Sequence, residues 1–235
     1  MTDQRRNYSI FCTGIVCSFV LLSPIAAHAT LLVPSGLAAG QGYRLAFVTR
    51  DSIDATSSDI GTYDNFVLAQ AALNPDLAGL AWSAIVSTLY DDAVGNVACV
   101  GCNDVPIYLL DTTRIANSTN ALFSTGLLNS FNKDQFGNQN SSYVWTGSDP
   151  NGTASFNPVG AASPQEGAPA FGGTSWITNG FTSSDTTLSV YALSSELVVA
   201  GTPPAPVPEP SSLALFGAGV LLALGLRARG SRAAS

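Results

Sequence analysis

Acids are the residues from which this sequence could build chemistry, and histidine is the one that most known machinery would require. The single histidine of the 235-residue chain is His28. It stands in Ala27-His28-Ala29, behind Arg5, Arg6, an apolar run from Ile10 to Leu22, and Pro24. That order is the layout of a signal peptide over residues 1–29, with a small-x-small peptidase site at Ala27 and Ala29. Cleavage there starts the mature chain at Thr30 and leaves it without histidine. Serine-histidine-acid triads, cysteine-histidine pairs and histidine-ligated zinc are excluded on that basis.

Carboxylates remain in quantity. Two of them flanking a glycosidic bond would make a hydrolase, and Asp91, Asp92, Asp104, Asp111, Asp149, Glu166 and Asp185 are the candidates. Their spacing along the chain does not pair them, and acids in loops serve more often as turn-formers and solvated charges. Asp149-Pro150-Asn151-Gly152 has the composition of a turn. No catalytic residue is assigned. The acidic loops near Asp91 and Asp149 leave calcium open as a ligand, although no segment has EF-hand spacing and no metal ligand set is assigned. Cys99-Val-Gly-Cys102 follows a Gly95-Asn96 turn, and in an exported protein reads as a small-loop disulfide between Cys99 and Cys102. A metal site there would need two further ligands, and no second CxxC supplies them.

Three tryptophans complete the set. Trp82 on an apolar segment and Trp145 in Val-Trp-Thr-Gly read as core. Trp176, among glycines and serines, reads as core or as an exposed ring able to stack on a sugar. With Asp149 and Asn151 it forms the candidate ligand-binding set.

Charge narrows the partners. Residues 30–207 hold four bases, Arg44, Arg50, Arg114 and Lys133, against fourteen acids, a net charge of −10. Such a surface repels phosphate backbones, so nucleic-acid binding is excluded. Charged residues make up only 11% of the chain, against a usual figure of about 25%.

The elements that must position these groups are short and mixed. Tyr43 to Thr49 alternates as a strand does. Ser57-Ser58-Asp59 offers caps, and Ile60, Tyr63, Val67 and Ala71 recur at helical spacing, predicting a helix over 59–73 that ends near Asn74-Pro75. Leu80 to Thr88 is a further apolar segment. Strands are expected at Val105 to Leu110, Tyr143 to Thr146 and Ser189 to Val199. No repeat of fixed period is visible, against a solenoid or propeller. The order predicts an α+β domain over residues 30–201 whose two ends meet in one sheet.

Beyond that domain, Thr202 to Val207 is a proline-rich linker, followed by Pro208-Glu209-Pro210, an apolar run from Leu213 to Leu226, and Arg227, Arg229 and Arg232. Residues 208–232 resemble the PEP-CTERM protein-sorting signal. The resemblance implies an exosortase substrate, exported through the secretion translocon and cut by signal peptidase. It implies passage through the inner membrane, held by the C-terminal helix, to the surface or extracellular matrix of a Gram-negative bacterium. The run is 14 residues long, marginal for a span of about 20, and the arginines after it would stay cytoplasmic.

Ala81 to Thr88, Val105-Pro-Ile-Tyr-Leu-Leu-Asp111 and Val144-Trp-Thr-Gly-Ser-Asp-Pro-Asn-Gly152 follow one another as do segments of the endostatin domain of collagens, a variant of the C-type-lectin-like fold. This resemblance implies that scaffold. The zinc-binding histidines and heparin-binding arginines of endostatin have no counterpart here, nor do the sugar-binding Glu-Pro-Asn and Trp-Asn-Asp triplets of calcium-dependent lectins. The function expected is that of a non-catalytic binding module for extracellular polysaccharide or matrix components. The alternatives are a purely structural biofilm protein and a carboxylate-based glycoside hydrolase.

Overall fold

A computed structural model describes residues 32–98, 101 and 103–201 of the chain. In chain order the elements are β1 (Gly42–Val48), α1 (Ile60–Ala72), β2 (Trp82–Ala84), α2 (Ala93–Asn96), β3 (Ile107–Leu109), β4 (Arg114–Ala116), α3 (Thr119–Ser124), β5 (Val144–Trp145), β6 (Gln165–Gly167), β7 (Gly180–Phe181), β8 (Ser189–Ser194) and β9 (Leu197–Val198). The strands form one mixed nine-stranded sheet in the order β4-β3-β1-β8-β5-β6-β7, with β2 added to β8 and β9 to β1. Mixed pairing with few helices is the α+β architecture expected from the element order.

The first strand sets the layers. Tyr43, Leu45 and Phe47 of β1 point into one apolar cluster, and Ala46 and Val48 into a second on the opposite face, the two-residue period of a pleated strand. The first cluster is closed by Tyr63, Val67 and Ala71 of α1. Asp59 caps that helix, its Oδ1 accepting from Gly61 N–H at 3.0 Å, so the cap offered by the sequence is used. The second cluster is aromatic at its centre. The Phe131 and Tyr191 rings lie 4.3 Å apart and those of Trp176 and Tyr191 5.5 Å, and the Tyr191 hydroxyl donates to Trp176 O at 2.9 Å.

Between Tyr43 and Leu45, on the face of Ala46 and Val48, lies Arg44. It is 4% exposed. Its Nε donates to Ser194 O, and its Nη1 donates to both Val97 O and Thr119 Oγ1 at 2.9 Å. One guanidinium thereby fixes the end of β8, the end of α2 and the start of α3 around β1. Burial lowers its pKa to about 10, the charges of Asp104 and Glu196 pulling the other way, and it stays charged at neutral pH.

The same contact explains a departure from the sequence pattern. Ser189 to Val199 reads as one strand but is divided into β8 and β9. Ser194 gives its carbonyl to Arg44 and its Oγ to Leu45 N–H at 2.9 Å, and Ser195 N–H turns to Ala81 O at 3.0 Å. Pairing with β1 resumes at Tyr43↔Leu197 and Gly42↔Val198. The two ends of the domain thus meet in the sheet as expected. The strands foreseen at Val105 to Leu110 and Tyr143 to Thr146 are present over their central residues, as β3 and β5.

Arg44→Met is expected to cost about 3 kcal/mol in urea denaturation, because it strips the donor from three buried acceptors at once; a loss below about 1 kcal/mol would contradict this placement.

Acid stability follows from the carboxylates. Burial pushes Asp104 and Asp134 up, but hydrogen bonds outweigh it and hold both below the usual 3.8. Those on Asp104 come from Ser118, Thr119 and Asn120, and those on Asp134 from Arg50, Phe136 and Asn138. A carboxyl with a lowered folded-state pKa adds stability above its unfolded value and loses it as pH falls through the folded one. The thermal midpoint is expected to be level from about pH 7 to about pH 5 and to drop below about pH 4. Asp134→Asn should shrink that drop, and a midpoint unchanged down to about pH 2 would sink the assignment.

Candidate functional site

The sheet carries two loops whose large apolar side chains face water. In Thr88-Leu89-Tyr90-Asp91-Asp92, Leu89 is 67% and Tyr90 79% exposed, and in the second loop Phe156 is 97% exposed. Single exposed apolar residues are ordinary, but several around one cleft mark a recognition surface. Leu89, Tyr90 and Phe156 line one open cleft of about 380 Å³ with Ser58, Pro158 and Val159.

The backbone beneath the rings is tied down. Thr88 and Val159 form a parallel bridge, and Val159 N–H donates to Ser87 O at 3.0 Å. On the tyrosine side, the Thr88 hydroxyl accepts from Tyr90 N–H at 3.1 Å and Asp91 N–H at 3.0 Å. Phe156 lies between two anchored neighbours: Ser155 N–H donates to Gly147 O at 2.9 Å, and Asn157 O accepts from Gln165 N–H at 2.9 Å.

Glycine is required where the wall closes. Gly160 has φ +88°, and a Cβ there would stand 2.8 Å from Ser58 Cβ, while its N–H donates to Ala55 O at 2.8 Å. The segment 55–58 is thereby drawn against the far side of the cleft. A shelf held this way loses little conformational freedom when a ligand settles on it.

The residues singled out from sequence fall elsewhere. Trp176 is 1% exposed, and its ring packs on Phe123, Phe131 and Tyr191. Of its two readings the core one holds, and the exposed stacking ring of the candidate ligand-binding set is corrected. The glycines and serines around it look like a mobile loop in sequence, but the aromatic cluster buries it. Asp149 and Asn151 are exposed and form the expected turn: Gly152 N–H donates to Asp149 O at 2.8 Å, and Asn151 Oδ1 accepts from Thr153 Oγ1 at 2.8 Å. Pro150 of that turn and Trp176 line one small cavity of about 150 Å³. Trp82 and Trp145 are buried, as read.

Four of the candidate carboxylates are engaged in bonds within the fold. Asp92 Oδ1 accepts from Ala154 N–H at 2.6 Å, and Asp104 accepts from Thr119 N–H and Asn120 Nδ2 at 2.8 Å each. Asp111 accepts from Thr113 N–H at 3.0 Å and pairs with Lys133 at 3.2 Å. Glu166, on β6, accepts from Thr182 Oγ1 at 2.8 Å. Among the described residues, no group of three or more His, Cys, Asp or Glu side chains is placed to hold a metal ion. Nor is any described helix long and apolar enough to cross a membrane. Ala27, Ala29, Cys99, Cys102, Pro208, Glu209, Pro210 and the run 213–226 lie outside the described residues.

Tyr90 and Phe156 are absent from the candidates drawn from sequence. A signal was there: Leu89-Tyr90 runs directly into two aspartates, and Phe156 stands alone between serine and asparagine.

Residues 206–230 match the PEP-CTERM protein-sorting motif. The motif marks the chain as exported and sorted by exosortase, with a membrane-anchored stage in transit. No curated protein matches the chain.

Truncating the shelf is expected to leave the fold almost untouched, Tyr90→Ala and Phe156→Ala each shifting stability by less than about 0.5 kcal/mol. Trp176→Ala should cost about 3 to 5 kcal/mol. Denaturant titration of the three variants checks both, and an equal loss at all three sites would mean that the rings are core.

Proposed function

We propose that the domain is a non-catalytic binding module for extracellular polysaccharide or matrix components, carried to the cell surface or extracellular matrix of a Gram-negative bacterium. Signal peptidase and the secretion translocon act on the N-terminal segment, and exosortase on the Pro208-Glu209-Pro210 signal. The observation that carries the binding role is the cleft with Tyr90 and Phe156 exposed along it. Aromatic faces are electron-rich and apolar, and the C–H face of a pyranose ring complements both properties. Preformed apolar clefts with a few polar groups at the edge are the common form of ligand site; here Ser58 stands at that edge.

The lectin-like scaffold is part of this proposal. It rests on the segments Val105–Asp111 and Val144–Gly152, which contribute β3 with its following turn and β5 with the Asp149–Gly152 turn. A binding role also accounts for carboxylates engaged in capping the backbone.

The test is retention of the full chain on the producing organism's extracellular polysaccharide, with release of reducing ends followed in the same samples. Retention without release is expected, and Tyr90→Ala combined with Phe156→Ala should weaken it at least about tenfold, each ring contributing about 1 kcal/mol or more. Release of reducing ends by the wild type would overturn the non-catalytic role. Retention unaffected by the double substitution would overturn the shelf as the site.

A further inference from the structure

Resting on the shelf as the binding site, we infer that its ligand is a glycan without acidic groups, built of β-linked pyranoses whose substituents are equatorial.

The inference comes from where the charges stand. The segments that reach the cleft, 54–59, 88–92 and 153–161, hold Asp54, Asp59, Asp91 and Asp92 and no base. Asp91 follows Tyr90 directly, and Asp92 holds Ala154, two residues before Phe156, through its Oδ1. Asp54 and Asp59 bracket the 55–58 segment that forms the opposite wall. Asp185 follows Ser184, whose N–H donates to Ala162 O at 3.1 Å just beyond the cleft lining.

None of the four bases of the described residues lines the cleft. Arg44 is buried against Ser194, Val97 and Thr119. Arg50 pairs with Asp134 at 2.8 Å and covers the Phe136 ring at 4.2 Å, Lys133 pairs with Asp111 at 3.2 Å, and Arg114 lies in β4 at the far edge of the sheet. A chain of uronates or sulfated sugars would bring a row of negative charges to this rim with no cation to meet it. Charges of one sign around a cleft act over roughly a Debye length, about 10 Å at 0.1 M salt, and they lower both encounter rate and affinity.

The chemistry of the two exposed rings adds the second half. Two exposed rings along one cleft gain most from a ligand that presents flat C–H faces repeatedly. A pyranose with equatorial substituents has axial C–H bonds on both faces, so successive residues of a β-linked chain present such faces in turn. An axial hydroxyl interrupts that surface, and a carboxylate adds a charge at its edge that the shelf does not pair.

The experiment titrates the full chain, in a polyoxyethylene detergent that carries no sugar, with a β-1,4-linked glucose hexasaccharide and with a β-1,4-linked mannuronate hexasaccharide, whose ring substituent at C2 is axial. Titrations run at about 20 mM and about 500 mM salt, which moves the screening length from about 20 Å to about 4 Å. The glucose oligomer should bind at both, and the uronate at least about tenfold more weakly at low salt, with the gap narrowing at high salt. Asp91→Asn with Asp185→Asn should narrow the low-salt gap and leave the glucose oligomer's affinity unchanged.

A uronate bound as tightly as glucose at low salt, with Tyr90→Ala abolishing both, would overturn the inference and leave the shelf standing. Failure of both oligomers, while the organism's polysaccharide is still retained through Tyr90 and Phe156, would overturn it in the same way. Failure of both together with retention indifferent to the two rings would remove the shelf itself.

Discussion

A single buried cation organises this domain. Arg44 stands in the central strand, yet it is the acceptors around it that reveal its role: two carbonyls and a hydroxyl from three elements that are far apart in sequence. A buried charge is tolerated only when its hydrogen-bonding capacity is met and compensating charge lies near. Here the nearby acids are Asp104, which caps the start of α3, and Glu196, which takes Asn103 N–H at 3.0 Å between β8 and β9. The side chain at the centre and the acids at its edge constrain the same junction. The break in the last strand and the placing of both short helices follow from it.

The acidic composition acquires a structural meaning in this light. With almost no lysine or arginine to pair with, the carboxylates are held mainly by backbone N–H groups at turns and helix starts. Such contacts are short-range and local, so a loop-rich chain can be fixed without a large hydrophobic investment in each loop. They also leave the outer surface negative, and the shelf inherits that field.

Legibility in the sequence tracked the length of each element. In β1, α1 and β8 apolar side chains recur over six or more residues, and each follows its period closely enough to be read. Strands β4, β6 and β7 are two or three residues long and exist because a neighbouring strand offers them hydrogen bonds. No local pattern marks them. Trp176 was ambiguous for the same reason: its burial depends on Phe123, Phe131 and Tyr191, which approach from three distant segments. Arg44 misleads in the opposite direction, since a charged residue in an alternating strand reads as outward-facing until its acceptors are known. The shelf residues were missed because one or two apolar side chains in a loop carry no period at all, although their polar neighbours mark them as exposed.

The pairing at the domain's exit has a mechanical side. The chain leaves at Gly201 toward the sorting motif, directly after β9, whose hold on β1 is the pairs Gly42↔Val198 and Tyr43↔Leu197, with Val199 bonded on both sides to Gly40 and Gln41. Tension arriving through the linker meets this strand first and peels it from Val199 inward, one bond at a time. Apolar contact at this end is limited to Leu197 in the buried core and a partly buried Val199 against it. Behind it, β8 is stitched to β1 through Ser194 and Arg44. The domain therefore has a yielding end and a locked centre: under drag it can pay out a few residues of tether while the sheet, and the rings carried above it, keep their shape.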